Sequence, residues 1–225
     1  MSKPGLRRLV SLVFPITCVG CDEEGEWLCT ACQKDLLISR SEQCVLCAKA
    51  ATDGLCERCR RQTQLDGVVS LFAYKDRSVQ KLIKQIKYRG HTDALYFLSE
   101  QFRRKIQQRL PRGEWQASFV PMSRERLTER GFNQSLLLAK LLCRDDLTLV
   151  PLVEKSRPTA AQASLNKNDR LKNLRRSFRL TTPLVPEKVI LFDDVITTGT
   201  TLSEIARLLK KKGTKEVWAV TIAHG

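Results

Sequence analysis

From residue 65 onward the apolar positions alternate between short and long periods. Gly67–Tyr74 alternates as a strand does. Val79–Arg89 carries Val79, Leu82, Ile83 and Ile86 at helical spacing, with Lys81, Lys84, Gln85 and Lys87 between them. The pattern predicts a further helix over Ala94–Leu110 and a short strand over Ala117–Val120, closed by Pro121. It continues with a helix after Gln134 through Cys143, strands over Leu147–Val153, Val189–Phe192 and Glu216–Ile222, and a helix over Leu202–Lys212. Strands alternating with helices predict an α/β fold, a parallel sheet with helices on both faces. Residues 1–64 lack this texture. We expect them to form a separate N-terminal unit, with the α/β domain spanning 65–225.

The chain has 225 residues, 42% of them hydrophobic, enough for a packed core and too many for global disorder. No apolar run approaches the ~18 residues of a transmembrane segment. Arg7–Arg8 followed by Leu9–Val13 is a weak match to a signal peptide, because Pro15 interrupts it and no small-x-small site follows. A short amphipathic helix packed on the protein is expected there, and a cytoplasmic location.

The net charge is +15 and it is unevenly spread. Residues 75–112 hold eleven basic and three acidic side chains, and residues 155–179 hold eight and one. Two such blocks folded onto one face attract a polyanion. Lys81, Lys84, Lys87, Arg89, Arg103, Arg104, Arg175 and Arg176 are the candidates for DNA binding. Tyr74, Tyr88, Tyr96 and Trp115 are candidates to stack bases, against the competing expectation that most of them are core or rim. A merely soluble basic surface is the simpler reading of the charge.

Eight of the nine cysteines form four Cys-x-x-Cys pairs: Cys18/Cys21, Cys29/Cys32, Cys44/Cys47 and Cys56/Cys59. Each pair faces two thiolates toward one metal, and two pairs complete a tetrahedral zinc site with no position open for water. Two structural Zn²⁺ sites follow. Disulfides do not suit a chain without a secretory signal. Sequential pairing, Cys18–Cys32 then Cys44–Cys59, is favoured by the short gaps within each quartet; cross-braced pairing is the alternative. Cys143 follows the apolar run Leu136–Leu142 and is expected to be buried and inert.

The densest chemistry lies at Val189–Thr201. An apolar strand ends in Asp193 and Asp194, then Thr197-Thr198-Gly199-Thr200-Thr201 leads into a helix. Backbone amides and threonine hydroxyls at such a turn suit a phosphate. The carboxylates suit vicinal hydroxyls or a Mg²⁺. Together they point to a sugar phosphate. A Walker B reading would need a Gly-x-x-x-x-Gly-Lys-Ser/Thr loop, and the chain has none. A capped strand–turn–helix with solvated aspartates is the other alternative. Val120–Gln134 supplies Arg124, Arg126 and Arg130, whose forks suit diphosphate oxygens. Glu154–Phe178 is a long basic segment between core strands, the pattern of a lid, with Arg157, Gln162, Arg170 and Asn173 as its ligand-facing groups.

The 189–201 stretch resembles the phosphoribosyl-diphosphate (PRPP) loop of type I phosphoribosyltransferases. That resemblance implies that Asp193 and Asp194 hold the ribose hydroxyls. It puts Thr197, Thr198, Gly199, Thr200 and Thr201 on the 5-phosphate, and Mg²⁺ accompanies PRPP. The whole chain resembles the ComF family of competence proteins. The matching motifs are Phe14-Pro15, the cysteine pairs, Lys87-Tyr88-x-Gly90, Val120-Pro121, Arg130-Gly131-Phe132-Asn133-Gln134, Arg157-x-Thr159-x-x-Gln162, Arg170-x-x-Asn173 and the Asp193-Asp194 loop, all in order. The resemblance implies a double zinc ribbon followed by a type I phosphoribosyltransferase-like domain. It implies handling of single-stranded DNA in natural transformation, in the cytoplasm at the inner face of the membrane, beside a helicase-like DNA translocase. Two functions remain open. One is a DNA-handling protein that binds PRPP. The other is an active phosphoribosyltransferase in nucleotide salvage or nucleic-acid modification, with Asp193, Asp194 and Arg130 as candidate catalytic groups.

Overall fold

A computed structural model of the chain describes residues 15–36, 38–40, 42–143, 147–156 and 177–225. Its strands are β1 (Gly67–Ala73), β2 (Gln116–Phe119), β3 (Thr148–Leu149), β4 (Val153–Lys155), β5 (Phe178–Leu180), β6 (Lys188–Ile196) and β7 (Glu216–His224). Its helices are α1 (Thr30–Lys34), α2 (Glu57–Thr63), α3 (Arg77–Arg89), α4 (Thr92–Arg109), α5 (Arg124–Arg130), α6 (Gln134–Leu142) and α7 (Thr200–Lys211). The five-stranded sheet has the order β1-β7-β6-β2-β3, and every pairing in it is parallel.

Val189–Phe192 is apolar on both sides because both faces of β6 are covered. On one face Ile190 and Phe192 share a core with Leu82 and Ile86 of α3, Leu95 and Ile106 of α4 and Leu138 of α6. On the other, Val189 and Leu191 pack with Leu202, Ile205 and Leu209 of α7. Asp76 caps α3 by accepting from the Ser78 and Val79 amides, and Gly90 ends that helix at φ 69°.

The two cysteine-rich segments pack on opposite faces of this sheet. Cys18, Val19, Trp27 and Leu28 join the core beneath α3 and α4. Cys44, Val45, Leu55 and Cys59 join the core beneath α7. Between them the chain runs along the open edge of β1. There the Ser39 amide donates to Leu71 O, and Asp53 O of the second cysteine segment accepts from the Val68 amide, both at 2.8 Å. A Cβ at Gly54 (φ +74°) would lie 2.2 Å from Val68 O, so only glycine fits this approach. The edge that could have templated another strand is thereby covered.

Several elements differ from the sequence pattern. Leu147–Val153 is not one strand. Pro151 has no N–H for a ladder, and the segment divides there into β3, which extends the main sheet, and β4, which pairs antiparallel with β5. β6 runs on to Ile196, so the acidic pair lies within the strand rather than after it. α5 carries no apolar periodicity; its single leucine, Leu127, is exposed. Ser123 nonetheless caps it, accepting from the Arg126 amide. The helix expected before Pro15, with Phe14, lies outside the described residues. So do Arg157, Gln162, Arg170, Asn173, Arg175 and Arg176.

The connection β2→β3 leaves in one direction along the sheet and β6→β7 in the other. β2 and β6 are neighbours, so the crevice beyond their C-terminal ends is the switch point where α/β sheets bind ligands.

Candidate functional site

That crevice holds the acidic pair. Asp193 Oδ1 accepts from Ser135 Oγ and from the Asp194 amide, each at 2.9 Å. Asp194 Oδ2 meets Lys87 Nζ at 2.7 Å and accepts from Gln134 Nε2 at 3.0 Å. Among the described residues Asp193 Oδ2 and Asp194 Oδ1 have no partner. Each carboxylate is thus anchored through one oxygen and open at the other, an arrangement suited to two neighbouring hydroxyl donors. Enclosure by protein and the nearby Asp194 charge push the Asp193 carboxyl up to about 7, against the opposing pull of its hydrogen bonds and of Lys87.

The anchors come from two elements. Lys87 lies on the last turn of α3. Gln134 and Ser135 open α6, whose Asn133 cap accepts from the Ser135 and Leu136 amides and donates through Nδ2 to Val120 O at 3.1 Å. That last bond ties α6 to the end of β2. Arg130 Nη1 donates to Gln134 Oε1 at 3.3 Å, and its guanidinium lies 5.4 Å from the centre of the Tyr88 ring. A chain of contacts therefore runs Tyr88–Arg130–Gln134–Asp194–Lys87. Arg124 and Arg126 are exposed at the start of α5, and the hydrogen bonds and ion pairs of the acidic pair involve neither of them. The Thr198 and Thr200 hydroxyls hydrogen-bond each other. Gly199, at φ 70°, turns the chain into α7 and offers no side-chain cap of its own. The Thr200 amide donates to Thr198 Oγ1 at 3.4 Å, and the amides that follow it at the helix start are of the kind a ligand anion can take. A Cβ on Gly199 would come to 3.3 Å from Thr63, so the turn rests directly against α2.

Sequence patterning did not mark Ser135 or Gln134 as ligand-shaping groups, and it assigned Lys87 to a DNA-facing surface. The structure brings Lys87 to Asp194. Of the other DNA candidates described, Lys84, Arg89, Arg103 and Arg104 are exposed on α3 and α4, while Lys81 Nζ donates to Val19 O at 2.9 Å. Trp115 is buried (5% exposed) against Trp218, whereas Tyr88 (73%) and Tyr96 (50%) are open.

The thiols group as Cys18/Cys21/Cys29/Cys32 and Cys44/Cys47/Cys56/Cys59, with all four sulfurs of each group within 4.8 Å of one another. Sequential, not cross-braced, pairing is what the fold adopts. Cys29 and Cys56 cap α1 and α2, so the second thiol pair of each group opens a short helix. Neighbouring sulfurs lie 3.6–3.7 Å apart. A regular tetrahedron with Zn–S bonds of ~2.3 Å has edges of about 3.8 Å, so each group has the size of a metal centre. Burial opposes charge on Cys18, yet amide donors from Cys29, Cys21 and Gly20 bring its thiol down to about 6. Cys143 caps α6 at its C-terminal end, half-buried, with burial pushing its thiol up to about 11.

A parallel sheet with an acidic pair at its switch point and a hydroxyl-rich turn opening the next helix defines a phosphoribosyltransferase-type domain. In agreement, residues 138–225, which include both aspartates and the threonine turn, match the phosphoribosyl transferase domain family. Over most of its length the chain resembles "DNA utilization protein YhgH" of Escherichia coli, at 32% identity with 86% of this chain and 96% of the relative covered. It resembles "Competence protein F" of Haemophilus influenzae at 30% identity, covering 87% and 90%. It resembles "Competence protein ComFC" of Streptococcus pneumoniae at 27%, covering 84% of each. The chain belongs to the ComF family that these relatives represent. No helix among the described residues is long and apolar enough to cross a membrane.

Proposed function

We propose that this protein handles single-stranded DNA in natural transformation, on the cytoplasmic side beside a helicase-like translocase, and that its α/β domain binds PRPP. The observation that carries the PRPP reading is the pair of anchored carboxylates, each with one open oxygen, on the strand that leads directly into the threonine turn. In this reading Asp193 and Asp194 take the ribose 2- and 3-hydroxyls, and Thr197–Thr201 take the 5-phosphate. Arg130, with Arg124 and Arg126 on the same helix, serves the diphosphate. Mg²⁺ carried with PRPP would offset diphosphate charge, and the open carboxylate oxygens are chemically suited to it. Zn²⁺ fills both cysteine groups as a structural ion, contributing on the order of 10 kcal/mol to each fold.

The names of the relatives support the DNA role. Exposed Lys84, Arg89, Arg103 and Arg104 support a strand path over α3 and α4. The reading is tested by titrating the zinc-loaded protein with PRPP and Mg²⁺, with and without a single-stranded oligonucleotide, while following diphosphate. Saturable binding of both ligands without diphosphate release is the expected result. Oligonucleotide-dependent release would instead make the protein a nucleic-acid-directed transferase, and failure of PRPP to bind would remove the proposal.

A further inference from the structure

A cleft of about 910 Å³ opens where the second cysteine segment meets the threonine turn. Thr197, Thr198 and Thr200 form one side of it, and Leu46, Lys49 and Arg58 another; neither Asp193 nor Asp194 lines it. Arg207 also borders the cleft, but Glu204 holds its guanidinium at 3.0 and 2.7 Å, so that charge is matched. Lys49 and Arg58 are exposed and have no ion-pair partner among the described residues. The cleft therefore joins a phosphate-type turn to two cations that no carboxylate of the described residues pairs, with Leu46 offering apolar surface and Cys47 and Cys59 of the second thiol group also on its wall.

A 5-phosphate occupies only a small part of such a space, since pockets of ~300–1,000 Å³ take whole drug-sized ligands. Phosphate-seeking groups on two chain segments that border one such space describe consecutive nucleotides better than a lone sugar phosphate. We propose that the threonine turn and this cleft together hold the 5′-phosphorylated end of a nucleic-acid strand. The terminal phosphate sits on the turn, and the next backbone phosphates lie toward Lys49 and Arg58. This rests on the reading of Thr197–Thr201 as a phosphate site. The turn is then shared: PRPP extends from it toward the aspartates, a strand end extends from it into the cleft, and each excludes the other.

Fluorescence anisotropy on the full-length zinc-loaded chain tests this, with oligonucleotides of about ten nucleotides that differ only in a 5′-phosphate or a 5′-hydroxyl. The phosphorylated strand should bind about tenfold tighter through its charge-assisted contacts, and excess PRPP should erase that preference. Lys49→Gln with Arg58→Gln, both exposed, should cut the preference to about twofold or less with PRPP affinity and zinc content unchanged. Asp193→Asn should weaken PRPP and leave the preference intact. Equal affinity for both ends would overturn the proposal. So would a preference that survives the double variant, or a 5′-mononucleotide that binds as tightly as the strand. If PRPP binds but the ends are not distinguished, this inference alone fails. If the ends are distinguished but PRPP never binds, the PRPP reading fails instead.

Discussion

Lys87→Met removes one partner of a buried ion pair and keeps the volume of the side chain. Lys87 Nζ lies 2.7 Å from Asp194 Oδ2, with side-chain exposures of 22% and 9%. After the substitution Asp194 retains only Gln134 as a side-chain donor. Breaking a buried pair costs about 3–5 kcal/mol, most of it the charge left behind. The lysine is more than a fifth exposed, which places the loss at the low end, about 3 kcal/mol. For a chain of this size that is a fall in Tm of roughly 6–12 °C. Lys87→Met combined with Asp194→Asn removes the stranded charge, and the double variant should recover to within about 1 kcal/mol of the native protein. Thermal or urea unfolding of the four members of this cycle measures both quantities. A drop of less than ~2 °C for Lys87→Met, or a double variant no more stable than the single one, would refute the pairing and return Lys87 to the outer surface.

Three further outcomes are expected. The raised carboxyl of Asp193 holds its proton more tightly folded than unfolded. Its contribution is therefore fully stabilising below about pH 4 and is lost as pH rises through about 7. Asp193→Asn should accordingly gain stability relative to native protein between pH 5 and 8, measured by melting at both. Removal of one thiol from either group, Cys21→Ser or Cys47→Ser, should lower bound zinc from about two ions per chain to about one by metal analysis; retention of both would refute four-thiolate ligation. Charge removal at Lys84, Arg89, Arg103 and Arg104 should flatten the log–log salt dependence of single-stranded DNA binding by about 0.7 per lost phosphate contact, with PRPP affinity unchanged. An unaltered slope would place the strand elsewhere.

The parts of the molecule that sequence disclosed are those whose chemistry is local. Val189–Thr201 holds strand, carboxylates, turn and helix start in one continuous stretch, and the Cys-x-x-Cys spacing places two thiols on one turn whatever surrounds it. The sequential cysteine groups follow because each quartet closes over a short interval. What escaped depends on contacts across the chain. Ser135 reaches Asp193 over 58 residues and Gln134 reaches Asp194 over 60, and neither lies on a hydrophobic period. Lys87 reads as one more cation on the polar side of α3 until the sheet puts Asp194 beneath it. α5 was invisible for a different reason: a helix held by a Ser123 cap and exposed on most sides has no apolar stripe to find. Pro151 was in plain view, but the apolar residues on both sides of it outweighed its missing N–H in a reading by hydropathy alone.

The anchoring of Asp193 and Asp194 through one oxygen apiece also sets what sugar can rest there. In the proposed reading a ribose satisfies both open oxygens. A deoxyribose satisfies one and strands the other against protein, at a cost of about 1–3 kcal/mol. In the proposed reading, the acidic crevice of a DNA-handling protein is closed to the sugar of its own cargo. Incoming DNA can cross the basic helices or enter the cleft beside the second cysteine group without competing for the carboxylates.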